Sequence, residues 1–406
     1  MDSTSFISYG KQHIDESDIT AVTEALKSDF LTCGPLVEKF ETEFVNYVGA
    51  KHAIAVCNAT AALHLAMLAA DIKPGDRVIT SPNTFLSSAN CAAFVGAIPD
   101  FCDIDPDTYN LCAKSLELNW KTDTKAVIPV AFAGQSPDMP AIAEIARRHN
   151  AIIIEDASHG TGGGFEIDGD SYKQGGHPWA DMTVFSFHPV KTLTTGEGGM
   201  LVTNNDELAA RARRLRSHGM TRDHSEFQGL GSESESNSTA IGEQGPWYYE
   251  MHDLGHNFRI TDIQCALGLN QLKKLPSFIK RRQEIVAQYN QAFENLDFIQ
   301  TPKTLRAEDS HHISWHLYTT QIDFKSIGKT RTEVIQELRK LNIGSQVLYI
   351  PVYLQPYYKN TYGYVSGKCP NSEIYYSKAL SLPLFPSMTD SDVMRVISAI
   401  HDLMSK

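Results

Sequence analysis

Apolar residues recur along this chain with two periods, and the alternation between them predicts its elements. Ile19, Val22 and Leu26 stand at helical spacing behind the capping candidate Asp15, which predicts a helix over residues 15–27. Gly34-Pro35 breaks the chain before a second helix over 36–47. From there short apolar runs alternate with helical stretches. Strands are expected at 53–56, 77–80, 125–130, 151–155, 182–186 and 200–203, and helices at 59–70, 87–95, 139–148 and 206–216. That order predicts an α/β domain around a mostly parallel sheet.

The pattern fails near residues 223–246. Gly229 to Ser238 is polar and small with no period, which reads as a mobile surface insert. Helices are expected again at 261–272 and, with Pro276 opening it, at 276–296. The remainder mixes strands and helices. The expected organisation is an N-terminal segment and large domain over 1–275 and a smaller α+β domain over 276–406.

Composition narrows the function classes. The chain has 406 residues, 42% of them apolar and 21% charged, with a net charge of −12. That length supports a large core. The acidic balance argues against a nucleic-acid binder with a broad basic face, while leaving room for a local basic pocket. Met1-Asp2-Ser3-Thr4 lacks the basic start of a signal peptide, and no apolar run reaches the ~18 residues of a membrane span. Seven scattered cysteines without C-x-x-C spacing read as free thiols in a reducing cytoplasm. A cytoplasmic protein is therefore expected, and the sequon Asn237-Ser238-Thr239 is a chance match.

The densest chemistry lies at Phe185-Ser186-Phe187-His188-Pro189-Val190-Lys191, followed by Thr194-Thr195-Gly196-Glu197-Gly198-Gly199. A lysine sits just past an apolar strand, five residues after a serine and just before a glycine-rich turn. A surface lysine needs none of those neighbours. A lysine held as a Schiff base to pyridoxal phosphate (PLP) does.

PLP demands an amine for its aldehyde, an acid for its pyridine nitrogen, donors for its phosphate and a flat partner for its ring. Lys191 is the candidate amine. Asp156, at the end of the run Ile152 to Glu155, is the acid, placed where ligands bind in open α/β sheets. His159, three residues on, is a candidate neighbour of the ring oxygen. Asn58-Ala59-Thr60 leaves a strand and opens a helix, so backbone N–H groups and the Thr60 hydroxyl favour a dianion there. Ser186 is a further phosphate donor, and Phe85 is the ring partner. Each residue alone has an ordinary reading: a helix cap for Thr60 or Asp156, core for Phe85, a packed imidazole for His159. The order of phosphate turn, aromatic, acid, serine and lysine, each at a strand end, is what points to the cofactor.

With these residues the chain resembles the DegT/DnrJ/EryC1/StrS sugar aminotransferases, which have the aspartate-aminotransferase-like (type I PLP enzyme) fold. The resemblance runs from about Phe6 to the C-terminus. It is carried by Glu155-Asp156-Ala157-Ser158-His159, by Ser186 to Lys191 and by Gly255-His256-Asn257-Phe258-Arg259-Ile260-Thr261-Asp262-Ile263-Gln264. It implies PLP-dependent transamination with Lys191 and Asp156 as catalytic residues. It also implies that Asn257 reaches the cofactor phosphate of a partner subunit, so a homodimer with shared active sites.

Gly245-Pro246-Trp247-Tyr248-Tyr249-Glu250-Met251, residues 346–358 and residues 380–386 look like one branch, the transaminases of pseudaminic acid synthesis. That branch implies a UDP-4-keto-6-deoxy-N-acetylhexosamine as acceptor and L-glutamate as amino donor. The resemblance assigns nucleotide-sugar contacts to Tyr9, to Asp29, Phe30, Leu31 and Thr32, and to Trp315, His316, Leu317 and Tyr318. Asp29 departs from the branch, standing where a basic residue can occur, and the Ser/Glu insert is an extension.

Three rivals are weaker. A PLP sugar dehydratase on the same fold carries histidine where this chain has Lys191. A non-catalytic sensor of this fold needs an appended DNA-binding domain, and the first helix begins shortly after Tyr9. A dinucleotide enzyme using Gly160-Thr161-Gly162-Gly163-Gly164 lacks the apolar helix that fingerprint requires. Within the aminotransferases, acceptors of the bacillosamine or perosamine type are the alternatives.

Overall fold

A computed structural model describes residues 5–228 and 246–404. Its elements begin with α1 (Glu16–Lys27), α2 (Pro35–Val48), β1 (His52–Val56), α3 (Ala59–Ala69), β2 (Arg77–Thr80), α4 (Ser87–Phe94) and β3 (Ile98–Phe101). They continue through α5 (Ala113–Leu118), β4 (Thr124–Ile128), α6 (Met139–Arg148), β5 (Ile152–Asp156), β6 (Gly164–Ile167), β7 (Asp170–Lys173), β8 (Met182–Ser186) and β9 (Gly199–Thr203). Next come α7 (Asp206–Arg216), β10 (Met220–Thr221), β11 (Glu250–Met251), α8 (Asp262–Phe293), β12 (Ile299–Gln300) and β13 (Tyr318–Ile322). The chain closes with α9 (Arg331–Lys340), α10 (Pro356–Tyr362), α11 (Pro370–Lys378), β14 (Ala379–Leu382) and α12 (Asp390–His401). Of the insert expected over about 223–246, residues 229–245 lie outside the described residues.

The main sheet has the order β1-β9-β8-β5-β4-β2-β3. From β3 to β8 every pairing is parallel, whereas β9 runs antiparallel to both β8 and β1. Two reversals return β1 to the direction of the parallel strands. Val56, Thr80, Asp156 and Ser186 therefore all end on one edge of the sheet. Helices cover both faces: α3 and α7 pack a core of Ala62, Leu65, Ala66 and Leu201, while α2 and α8 pack Phe40, Phe44, Phe185 and Leu275. The fold is the expected α/β architecture with a mostly parallel sheet.

Two readings differ from the structure, around Pro276 and at β3. The two helices read around Pro276 are one helix, α8, of 32 residues with Pro276 inside it. A proline in a helix interior removes one ladder bond. Packing compensates: Leu272, Leu275 and Ile279 sit in the large core and Ile285, Val286, Tyr289 and Phe293 in the C-terminal one. The boundary expected at 275/276 thus falls inside a helix shared by both cores. The strand β3, which sequence reading passed over, carries Pro99, and it lies at the sheet edge, where a missing N–H is tolerated. As expected, the glycine run 160–164 leads into the β6–β7 hairpin and not into a helix, so it lacks the frame of a dinucleotide fingerprint.

The C-terminal part packs the antiparallel sheet β12-β13-β14 against α8, α9 and α12. No helix among the described residues is long and apolar enough to cross a membrane.

Candidate active site

The common edge of β1, β2, β5 and β8 opens into a cleft of about 440 Å³, within the size range of small-molecule sites. Its lining includes Tyr9, Ala59, Thr60, Phe85, Asp156, His159, Ser186 and Lys191 and extends to Tyr349, so it gathers residues up to 340 positions apart in sequence. Sequence order has become a single cavity because the sheet sets the strand ends side by side.

Helix α3 begins at the cleft. Its cap is Asn58, whose side chain accepts the Ala61 N–H at 2.8 Å, and not Thr60. Thr60 is thereby free to turn its hydroxyl toward Ser87, with Oγ atoms 2.7 Å apart. The first intrahelical bond runs from Ala62 N–H to the Asn58 carbonyl, so the N–H groups of Ala59 and Thr60 precede the ladder. Gly199 makes room for this turn: a Cβ there would lie 2.7 Å from the Ala59 nitrogen. Ser186 closes the same side at the end of β8 and accepts the His188 N–H at 3.5 Å.

Asp156 is buried at the end of β5. Ser88 Oγ donates to its Oδ2 at 2.6 Å and Ser158 N–H to its Oδ1 at 3.0 Å, so both oxygens are oriented. Lys191 follows the β8 end on a turn closed by its N–H to the His188 carbonyl. Burial pushes its ammonium down to about 8, and the carboxylate of Asp156 opposes that shift. Phe85 remains 56% exposed, so it is a ring facing open space and not a core residue. His159 is buried; burial first, then the neighbouring Lys191 charge, hold it well below the usual imidazole range.

Other expected residues fall elsewhere. Among the 315–318 segment, Trp315 packs in the C-terminal core, Leu317 in a cluster with Phe132 and Tyr375, and Tyr318 donates its hydroxyl to Asn290. Their side chains are absorbed by packing and do not line the cleft. His316 is also buried, with its ring 4.4 Å from that of His159. The guanidinium of Arg282 is buried behind it, Nη1 donating to the carbonyls of Trp315, His316 and Leu384 at 3.2, 3.2 and 2.9 Å. Asp29, Phe30, Leu31 and Thr32 lie on the surface, where Leu31 accepts the Asp262 N–H and Thr32 bridges to Thr261. Asn257 is exposed and outside its own chain's cleft, because His256 and Phe258 on either side turn inward and stack on each other at 4.7 Å.

The family model for DegT/DnrJ/EryC1/StrS aminotransferases matches residues 12–401. The chain belongs to this family. A relative in Bacillus subtilis (strain 168), the spore coat polysaccharide biosynthesis protein SpsC, is 44% identical over 98% of this chain and 97% of its own length. Among solved structures, Helicobacter pylori PseC, an aminotransferase involved in the biosynthesis of pseudoaminic acid, matches with a TM-score of 0.86 at 29% identity, covering 99% of this chain and 100% of that one. Spr1654 of Streptococcus pneumoniae, solved in a PLP form and in a PMP form, matches with a TM-score of 0.85 at 28% identity, its PLP form covering 98% of this chain and 99% of that one.

The donor set of this DegT-family cleft fits PLP. It offers an amine, a doubly anchored carboxylate, a helix start with hydroxyls of Thr60, Ser87 and Ser186, and an open aromatic face. Sequence reading missed Ser87 and Ser88, two and three residues past Phe85, although their position at a strand-to-helix turn was a usable signal. It also gave no role to His188, Glu197 or Tyr349, all of which line the cleft. Tyr349 arrives from the C-terminal part, and nothing local in its sequence points to a site near Lys191.

Proposed function

We propose that this chain is a PLP-dependent nucleotide-sugar 4-aminotransferase. On this reading it moves the amino group of L-glutamate to C4 of a UDP-4-keto-6-deoxy-N-acetylhexosamine, as in pseudaminic acid synthesis. The observation that carries the enzyme class is Lys191 and Asp156 in one cleft of a DegT-family fold. Bound at Lys191, PLP supplies the electron sink that lets an amine and a carbonyl exchange places.

Each residue then has a task. Asp156, fixed by Ser88 and Ser158, keeps the pyridine nitrogen protonated. The α3 start with Thr60, Ser87 and Ser186 holds the phosphate dianion. Phe85 would offer its open face to the ring. Lys191, with its ammonium pKa lowered to about 8, reaches the neutral form needed to take and return a proton at the donor α-carbon.

A homodimer accounts for the exposed residues that do not face the cleft, Asn257 and Asp29 to Thr32. Asn257 and the stretch Asp29 to Thr32 lie close together on the outside, joined through the Thr32–Thr261 bridge and the Leu31–Asp262 hydrogen bond. On this reading that surface completes the partner's cleft, with Tyr9 supplying a substrate contact from within the chain. The free state of all seven cysteines agrees with a cytoplasmic setting.

The choice of sugar rests on the branch motifs and on the likeness to PseC. The more identical relative SpsC is named for polysaccharide biosynthesis, which favours a second reading with another 4-keto-6-deoxy sugar nucleotide as acceptor. Assay with glutamate against the two C5-epimeric UDP-4-keto-6-deoxy-HexNAc sugars separates them. The proposal expects preference for the β-L-arabino epimer. Clear preference for the other epimer overturns the branch while leaving the aminotransferase.

A further inference from the structure

Tyr349 stands in the cleft without a part in the chemistry described so far. Its backbone is held from two sides. Asn83 Oδ1 accepts the Tyr349 N–H at 3.3 Å, and the Tyr375 hydroxyl donates to the Leu348 carbonyl at 2.7 Å. Val352 N–H also donates to the Pro82 carbonyl at 3.0 Å, which ties this loop to the segment bearing Phe85. The Tyr349 ring lies 6.3 Å from Phe85 and 6.2 Å from Phe132. The side chain is therefore placed before any ligand arrives.

Its hydroxyl is 3.2 Å from His159 Nε2. The direction of that hydrogen bond follows from the other ring nitrogen. Ala133 N–H donates to His159 Nδ1 at 3.3 Å, so Nδ1 presents a lone pair. Burial and the Lys191 charge keep the ring neutral, and its one proton must then sit on Nε2. Nε2–H donates to Tyr349 Oη. Burial, with Tyr9 and Asp156 nearby, raises the Tyr349 pKa, so the phenol keeps its own proton. That proton is directed away from His159, and the space it faces is the cleft.

We propose that Tyr349, oriented by His159, donates a hydrogen bond to an anionic oxygen bound beside Lys191. This rests on the reading of the cleft as a PLP site. It changes the part expected of His159: both ring nitrogens are engaged by protein, so His159 is a positioning residue and Tyr349 makes the contact. The acceptor is an oxyanion from one of two sources, the ring phenolate of the cofactor or a substrate oxygen.

The test is Tyr349→Phe, which retains the ring and its packing. In the holoenzyme the visible band near ~420 nm reports the proton on the nitrogen that joins Lys191 to the cofactor. If the phenolate is the acceptor, losing the hydrogen bond leaves more charge on that oxygen and the proton is held more tightly. The absorbance titration then moves up by roughly one pH unit, the worth of a hydrogen bond to a charged group. If a substrate oxygen is the acceptor, the resting titration stays put and KM for glutamate or for the keto sugar rises about tenfold. An unchanged titration together with unchanged KM values overturns the proposal. Absence of the band in the unsubstituted protein would instead defeat the PLP reading, which keeps the two failures apart.

Discussion

The cleft has a floor and a far wall, and they are built differently. The floor comes from strand ends: the α3 turn after β1, Asp156 on β5, Ser186 and Lys191 after β8. Each of its groups sits within a few residues of a strand and takes its direction from the sheet. The far wall comes from the loop around Tyr349, backed by residues 315–316, which pack behind His159 and outside the lining. Those residues are held by long-range ties to Arg282, Asn83 and Tyr375. The contrast teaches that reacting groups can be fixed by local geometry while the enclosure around them is fixed by tertiary packing.

If that division is right, substitutions in the floor should damage chemistry and those in the wall should damage stability or affinity first. Lys191→Ala or Lys191→Arg should show the largest effect, abolishing steady-state transamination; retained turnover in either would remove Lys191 from the centre. Asp156→Asn keeps the shape and the Ser88 contact but loses the charge facing the pyridine nitrogen. Its kcat should fall on the order of 10²–10³-fold with the fold intact by circular dichroism.

The amine itself gives a pH prediction. Because the Lys191 pKa is lowered to about 8, the neutral form grows as pH rises toward that value. Cofactor uptake by apoprotein, followed by the visible band, should speed up about tenfold per pH unit below that point and level off above it. A rate still climbing steeply toward the usual lysine range of ~10.4 would contradict the burial argument.

Behind the wall, Arg282→Met leaves three buried carbonyls without their donor. Urea unfolding should show a loss of about 2 kcal/mol, with kcat changed less than in Asp156→Asn. If Arg282→Met costs kcat as much as Asp156→Asn does, the division between floor and wall fails. The smallest effect is expected from Thr60→Val, which removes one of several phosphate donors and should weaken cofactor binding by roughly tenfold without altering the band.

The same division explains what the sequence disclosed. Asp156, Ser186, Lys191 and the Asn58-Ala59-Thr60 turn were readable because apolar runs mark strands and strand ends mark the site. Phe85 was readable for the same reason, and its exposure separates it from core. Pro276 misled because helix packing overrides a single missing ladder bond, and Pro99 hid an edge strand. Trp315, Leu317 and Tyr318 could not be sorted from sequence, since an apolar block near a site and an apolar block in a core have the same pattern. Tyr349 was silent because its contact to His159 spans 190 residues.

The central claim is that Lys191 carries PLP. Borohydride reduction of the purified protein followed by peptide mass mapping tests it most directly. The account predicts loss of the visible band and a single pyridoxyl-phosphate addition on the peptide containing Lys191. An unmodified Lys191, or the addition on a different lysine, would contradict it.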